Sequence, residues 1–210
     1  NSIKQAMEES TKTNHGWKSL VKEMEKLLDE NGMPGQCTVT MSSIYTTTHN
    51  DNNAGISYLV TRNAPADGFV YDAGSAPMKP DEAALTSAAM EKLEAEIGDR
   101  IKVNIGGTEK EFIITGTFST FINNGMAARL CEDAELNLEK INNFMGVQIQ
   151  FDGTPDKKQI ERNIEKLKEV TGGEKIYTNA KMVETFTEMS DTLNSVKQMM
   201  MLMTVIVTAL

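Results

Sequence analysis

Residues 100–118 read RIKVNIGGTEKEFIITGTF. Two runs that read as strands, 100–105 and 109–118, flank Gly106-Gly107. A pair of glycines between such runs supplies the left-handed backbone that a tight hairpin turn needs. A phosphate loop also uses glycines, but it requires a following Lys-Ser/Thr and a helix whose N-terminus faces the anion. Neither follows Gly107, so the stretch reads as a β-hairpin at the centre of an α+β chain.

The flanks extend this pattern in both directions. Gly98-Asp99 is a turn before the hairpin, and 81–97 reads as helical or mixed. Residues 63–80 are rich in Gly, Pro and Ala and read as a loop. Before them, 36–48 is full of Thr, Val, Ile and Tyr. The polar run His49 to Asn53 makes a turn, and a second strand follows at 55–61, giving another hairpin. Residues 121–135 carry no clear period. Further on, 145–151 alternates as a strand. Thr154-Pro155 then opens a helix, with Thr as N-cap and Pro at the first helical position. Ile160, Ile164, Leu167 and Val170 give that helix one apolar face, Gly172-Gly173 closes it, and 175–178 begins a short strand. The order is that of a β-α-β unit.

Both ends of the chain carry seven-residue seams. Ile3, Met7, Ser10, Asn14, Trp17, Val21, Met24 and Leu28 alternate by steps of four and three, which predicts a helix over the first 30 residues. Asn14 could also cap a second helix restarted after a break at Gly16. Asn31-Gly32 stops the pattern, with Pro34 just beyond. At the other end Met182, Phe186, Met189, Leu193, Val196, Met200 and Met203 repeat in the same way from near Asn179. Residues 199–210, MMMLMTVIVTAL, lack any charge. A spanning helix needs about 20 apolar residues. This run is apolar on every face, unlike a core helix with one polar side. It is expected to be the first part of a transmembrane helix, with Met199, Leu202, Val205 and Ile206 at the membrane entry. The alternative is a buried core helix. Asn1 opens the chain with neither Met nor a basic leader, so the natural start is expected upstream.

Composition narrows the function classes. The 210 residues carry a formal net charge of -9 and are 6% aromatic. Such a chain repels a phosphate backbone and offers few stacking platforms, so nucleic acid is not an expected partner. Cys37 and Cys131 read as two small buried side chains rather than a disulfide framework. His15 and His49 read as exposed bystanders without a second ligand at metal spacing. Asp51 among Asn50, Asn52 and Asn53 has the composition of a calcium loop but not its spacing. Glu91, Glu94, Glu96, Glu132, Asp133 and Glu135 read as solvated faces. No G-x-S-x-G, H-E-x-x-H or P-loop pattern occurs. The expectation is a non-enzyme with no catalytic residue, cofactor or metal.

Four short motifs stand in a telling order: Gly74-Ser-Ala-Pro77, Glu82-Ala-Ala-Leu-Thr86, Ile97-Gly-Asp-Arg-Ile101 and Phe112-Ile-Ile-Thr-Gly-Thr-Phe118. Together they resemble the extracytoplasmic core domain of FtsX-like and MacB-like ABC transporter permeases. The resemblance covers the middle quarter of the chain closely and the flanks more loosely. It implies a porter-like, ferredoxin-like α/β part from 31–63 and 136–180, with a smaller β-rich, Sabre-like part, 64–135, inserted between them. Residues 1–30 would be an N-terminal stalk helix, and 181–210 a C-terminal stalk helix running into the membrane. Trp17, Val21 and Met24 would pack on Met182, Phe186, Met189, Leu193 and Val196, and this seam would carry coupling. The implied partners are a cytoplasmic ATPase subunit, an envelope protein or exported substrate, and a second permease in a homodimer or heterodimer. The implied place is the extracytoplasmic side of the cell membrane, and the implied role is transmission of ATP-driven movement. The rival expectation is the extracytoplasmic sensor domain of a membrane receptor.

Overall fold

A computed structural model describes residues 2–65, 68–137 and 144–173, together with Ile176 and Thr178. Contacts divide the chain into two units, Asn1–Thr154 and Pro155–Leu210.

The first unit begins with two helices, α1 (Ser2–Lys12) and α2 (Trp17–Glu30), which pack on each other. The single N-terminal helix expected over 1–30 is thus replaced by a helical pair. Gly16 explains the break. A Cβ there would lie 2.5 Å from the Glu9 carbonyl oxygen and 2.7 Å from the Ser10 Cα, so only glycine allows the chain to turn this close to α1. Gly16, not Asn14, stands at the N-cap of α2. Leu20, Val21, Met24 and Leu28 form the buried face of α2.

The Thr-, Val- and Tyr-rich segment forms one long antiparallel pair, β1 (Gly35–His49) and β2 (Asn52–Arg62), in register from Val39 opposite Arg62 to His49 opposite Asn52. Asn50 takes the positive φ of the turn, a conformation that asparagine tolerates better than most residues. After a loop come β3 (Ala73–Gly74), β4 (Glu82–Thr86), α3 (Ser87–Leu93), β5 (Arg100–Ile105), β6 (Thr108–Phe118), a 3-10 turn at Ile122–Gly125, β7 (Ala127–Leu130) and β8 (Phe144–Phe151). The hairpin read from 100–118 is β5–β6, paired from Arg100 opposite Ile113 to Ile105 opposite Thr108.

The segment 81–97 divides where its chemistry changes. Ala83, Ala84 and Leu85 are fully buried in β4, which lies between β6 and β7. A strand covered on both faces reads as a continuous apolar run and shows no alternation. Thr86 ends it, and its Oγ1 accepts the Ala89 amide N–H at 3.3 Å to cap α3.

The sheet runs in the order β2-β7-β4-β6-β5-β1-β8, and the β1–β2 pairing joins two members of that run. Six strands therefore close on themselves, and β8 lies outside the ring, paired with residues 35–42 of β1. The far end of β1 pairs instead with β5, at Thr47 and Thr48. Position 64 marks no break in hydrogen bonding, because β3 to β7 belong to the same sheet as β1 and β2. The core of this unit includes Tyr45, Tyr58, Ile56, Val60, Leu85, Ile101, Val103, Phe112 and Ile114. The Tyr58 ring stands 5.8 Å from that of Tyr45 and 6.1 Å from that of Phe112, both tilted.

The second unit is described through α4 (Lys157–Thr171). The N-cap is Asp156 rather than the expected Thr154. Its carboxylate accepts the Gln159 amide N–H at 2.8 Å, a bond that fixes the helix start two residues later than the Thr-Pro pair suggests. Gly172, at φ 69°, ends the helix as expected. Ile176 and Thr178 lie outside regular structure. The rest of the expected strand at 175–178 and the whole expected helix from Asn179 fall outside the described residues.

Candidate functional site

The coupling residues expected on the N-terminal side are on α2. Val21 and Met24 are buried and Trp17 is half-buried. Lys18 Nζ lies 5.7 Å from the centre of the Trp17 ring. The α2 helix packs on α1 and β1, and Glu25 fixes it there. One Glu25 carboxylate oxygen accepts the Cys37 amide N–H at 3.1 Å and lies 3.5 Å from Asn63 Nδ2. Asn63 Nδ2 also donates to the Cys37 carbonyl at 2.8 Å. The sequence seam missed Leu20, which is fully buried beside Val21. An α-helical face is wider than a strict seven-residue seam, and this broader stripe is the signal that would have found it. Met182, Phe186, Met189, Leu193, Val196, Met199, Leu202, Val205 and Ile206 lie outside the described residues. No helix among the described residues is long and apolar enough to cross a membrane.

Cys37 and Cys131 are buried, as expected, and both are free. Burial, with a smaller contribution from the Glu25 carboxylate, pushes the Cys37 thiol from its ordinary 9.0 up to about 12. The folded state therefore disfavours the thiolate that the unfolded chain forms above pH 9. The stability that Cys37 contributes is complete below pH 9 and is lost as pH rises toward 12. Burial raises the Cys131 thiol in the same direction. Urea unfolding midpoints should fall between pH 8 and pH 10.5 faster in the natural chain than in Cys37→Ala. Parallel decline of the two proteins would show that the thiol does not contribute.

His49 is not the exposed bystander its polar turn suggested. Its side chain is 12% exposed. Nδ1 lies 3.1 Å from the Leu93 carbonyl at the end of α3, and Nε2 lies 3.5 Å from Asp99 Oδ2. Asp99 Oδ2 also accepts the Glu96 amide N–H at 2.8 Å. His49 thus braces the β1–β2 turn against the α3–β5 connection. With Thr48, Asn50, Arg100, Lys102 and Glu111 it lines an open depression of about 350 Å³. The cations there already have partners: Lys102 meets Glu109 at 3.0 Å and Arg100 meets Glu111 at 3.8 Å. His15 is exposed. Among the described residues no group of three or more His, Cys, Asp or Glu side chains could hold a metal ion.

The four family-like motifs converge on one corner of the sheet, where they build the fold. Gly74 in β3 and Gly116 in β6 are opposed. A Cβ on Gly116 would lie 2.5 Å from the Ser75 carbonyl oxygen, and one on Gly74 would collide with that of Thr115. Glu82 accepts the amide N–H groups of Met78 and Lys79 at 2.8 and 3.2 Å, which holds its carboxyl below the usual range. The Ile114 carbonyl accepts from Gly98, and the Ile114 amide donates to Asp99. These residues fix how the 72–82 segment and the β5 entrance meet β6.

Near that corner two apolar side chains are exposed. Val70 is 84% exposed and Phe121 is 83% exposed. Asp72 brings their loops together by donating its amide to Thr117 and accepting the Ser119 hydroxyl at 2.7 Å. Beneath them the Arg129 guanidinium stacks 3.5 Å from the Phe69 ring centre and 4.9 Å from that of Phe118. Stacking on two rings positions a planar cation. Sequence reading gave no hint of this arrangement, since its parts come from three separate segments.

The architecture defines a mixed α/β domain whose strand ring is accompanied by a helical pair. No protein-family model and no curated protein sequence matches the chain. Among solved structures, the periplasmic region of MacB from Actinobacillus actinomycetemcomitans is 12% identical, with a TM-score of 0.53 over 78% of this chain and 80% of that one. The extracellular domain of the noncanonic ABC-type transporter YknZ from Gram-positive bacteria is 13% identical, with a TM-score of 0.48 over 73% of this chain and 84% of that one. The chain therefore has the fold of the MacB periplasmic region, in keeping with the core domain that its motifs resemble.

Proposed function

We propose that this chain is the extracytoplasmic domain of an ABC transporter permease. It is a non-catalytic module that binds an exported substrate or envelope partner and passes ATP-driven movement of membrane helices to it. The observation that carries the reading is the fold shared with the MacB periplasmic region over most of both chains. In this reading the cytoplasmic ATPase is a separate subunit, and the permease works as a homodimer or heterodimer. In this reading 31–63 and 136–180 are the porter-like part and 64–135 the Sabre-like part, and β1 pairs with strands of both, β8 and β5. Residues 1–30 and 181–210 supply the stalk helices in this reading.

The topology of the reading is directly testable. Both cysteines of these 210 residues are buried, so labelling of a cysteine added at exposed Lys110 near the β5–β6 turn is read against the full-length protein without that change. In intact cells Lys110→Cys in the full-length protein should react with a membrane-impermeant maleimide to at least nine-tenths of the level seen after lysis. Reaction only after lysis would place the domain in the cytoplasm and end the proposal.

A further inference from the structure

The segment 131–137 follows β7, makes its own turn through the Ala134 N–H to the Cys131 carbonyl, and is fastened to other elements by hydrogen bonds that each involve a side chain. Asn63 N–H donates to Glu132 at 2.7 Å. Arg62 Nη2 donates to the Ala134 carbonyl at 2.6 Å. Asn14, in the corner between α1 and α2, donates through Nδ2 to the Leu136 carbonyl at 2.9 Å and accepts the Leu136 N–H through Oδ1 at 3.0 Å. The Asn137 N–H donates to the Tyr45 hydroxyl at 2.8 Å. The Asn137 side chain also abuts Gly106 in the β5–β6 turn so closely that a Cβ there would collide with it. Cys131, Ala134 and Leu136 point inward and are buried, while Glu132, Asp133 and Glu135 are exposed.

We propose that 131–137 is a clasp that ties the α1–α2 corner to the strand ring, with the Asn14–Leu136 pair as its release point. The two-way Asn14 bond copies the pairing of two backbones in a sheet, so a side chain on the helical pair holds the segment as a neighbouring strand would. Losing it frees one donor and one acceptor of Leu136 together. The remaining fastenings, at Arg62, Asn63 and Tyr45, all belong to the ring. Release at Asn14 therefore frees the α1–α2 corner from the segment without opening the ring, while Glu25 still holds α2 on β1. Arg62 anchors the ring side. It is 3% exposed, its Nε has no hydrogen-bond partner among the described residues, and the carboxylates of Glu132, Asp133 and Glu135 act on it. A buried cation of this kind is costly unless the acidic segment stays in place. The clasp rests on the transmission role proposed above and names the contact through which movement of α1–α2 would reach the ring.

Hydrogen exchange in the complete 210-residue chain tests it. In Asn14→Ala the amides of 131–137 and of α1 should exchange at least tenfold faster than in the natural chain, while those of β4, β5 and β6 stay within twofold. Asn14→Asp, which keeps the acceptor for the Leu136 N–H, should give a smaller increase confined to the same residues. Unchanged exchange at 131–137 in both variants overturns the clasp, and so does an equal rise across the whole ring, which would make Asn14 a general core contact. In the full-length transporter with its ATPase, Asn14→Ala should lower the transport-coupled fraction of ATP hydrolysis at least fivefold. Normal coupling despite the local exchange signature would leave the clasp standing and overturn the transmission role.

Discussion

Gly116→Val is expected to destabilise the first unit by about 3 kcal/mol, at the upper end of what forced overpacking costs. The added Cβ meets backbone on the facing strand: the Ser75 carbonyl oxygen at 2.5 Å, the Ala73 carbonyl oxygen at 2.8 Å and the Ser75 amide nitrogen at 2.9 Å. Backbone held by hydrogen bonds cannot yield as a flexible side chain can. The bonds at stake are those from Asp72 to Thr117 and from Ser75 to Thr115, which flank the glycine on both sides. Gly116→Ala should cost less than valine but remain measurable by the urea midpoint, whereas alanine at Gly55, whose Cβ would find only ordinary contact with the Ile44 side chain, should be nearly silent. A valine variant at position 116 with an unchanged midpoint would show that β3 need not lie against β6. The position matters for interpretation, because Gly116 belongs to the motif that closes the resemblance to the permease domains. Its role is to admit a close strand crossing, and no chemistry at the site requires it.

The parts of the fold visible in the sequence were those decided by local rules. The β5–β6 hairpin follows from Gly106-Gly107, and both residues take positive φ. The apolar face of α4 follows from its period, with Leu167 buried and Ile160, Ile164 and Val170 half-buried. The pair β1–β2 follows from its β-branched composition and the polar turn. What stayed hidden depends on partners distant in sequence. No local signal joins β7 to β2 or sets β4 between β6 and β7, and parallel pairings such as β2–β7 leave no turn to read. His49 shows the same limit at the level of one residue. A polar turn predicts exposure, but α3 ends 44 residues further on with a carbonyl at hydrogen-bond distance.

Asn14 marks the boundary between the two kinds of information. The sequence narrowed it to a polar position in a helical seam or a cap, and both readings rest on neighbours within a few residues. Its partner is Leu136, 122 residues away. The Glu132 to Glu135 stretch read as a solvated face, and its charged side chains are indeed exposed. Yet Ala134 and Leu136, between and beside them, are buried. An acidic run can thus be solvated on one side and hold two elements together on the other.

Tyr58→Ala should be among the most destabilising single changes in the chain, costing about 3–5 kcal/mol as other large aromatic truncations do. That is a large part of the roughly 5–15 kcal/mol that holds a typical domain folded. Tyr58 is fully buried in β2, stacked near Tyr45 and Phe112, and its hydroxyl lies 2.8 Å from Thr47 Oγ1 on β1. Burial raises the phenol well above its ordinary value, so the hydroxyl stays neutral in the folded ring. The single change Tyr58→Phe keeps the ring and removes only the hydroxyl. It leaves the fully buried Thr47 hydroxyl without this partner, at about 1–3 kcal/mol. Adding Thr47→Val removes the stranded group, and the double variant should be more stable than Tyr58→Phe alone. Chemical unfolding of the four proteins gives the coupling directly, expected at about 1 kcal/mol or more for side chains in contact. Strict additivity would mean that the Tyr58–Thr47 bond does not hold the two strands. Tyr58 would then matter only as apolar volume beside Phe112.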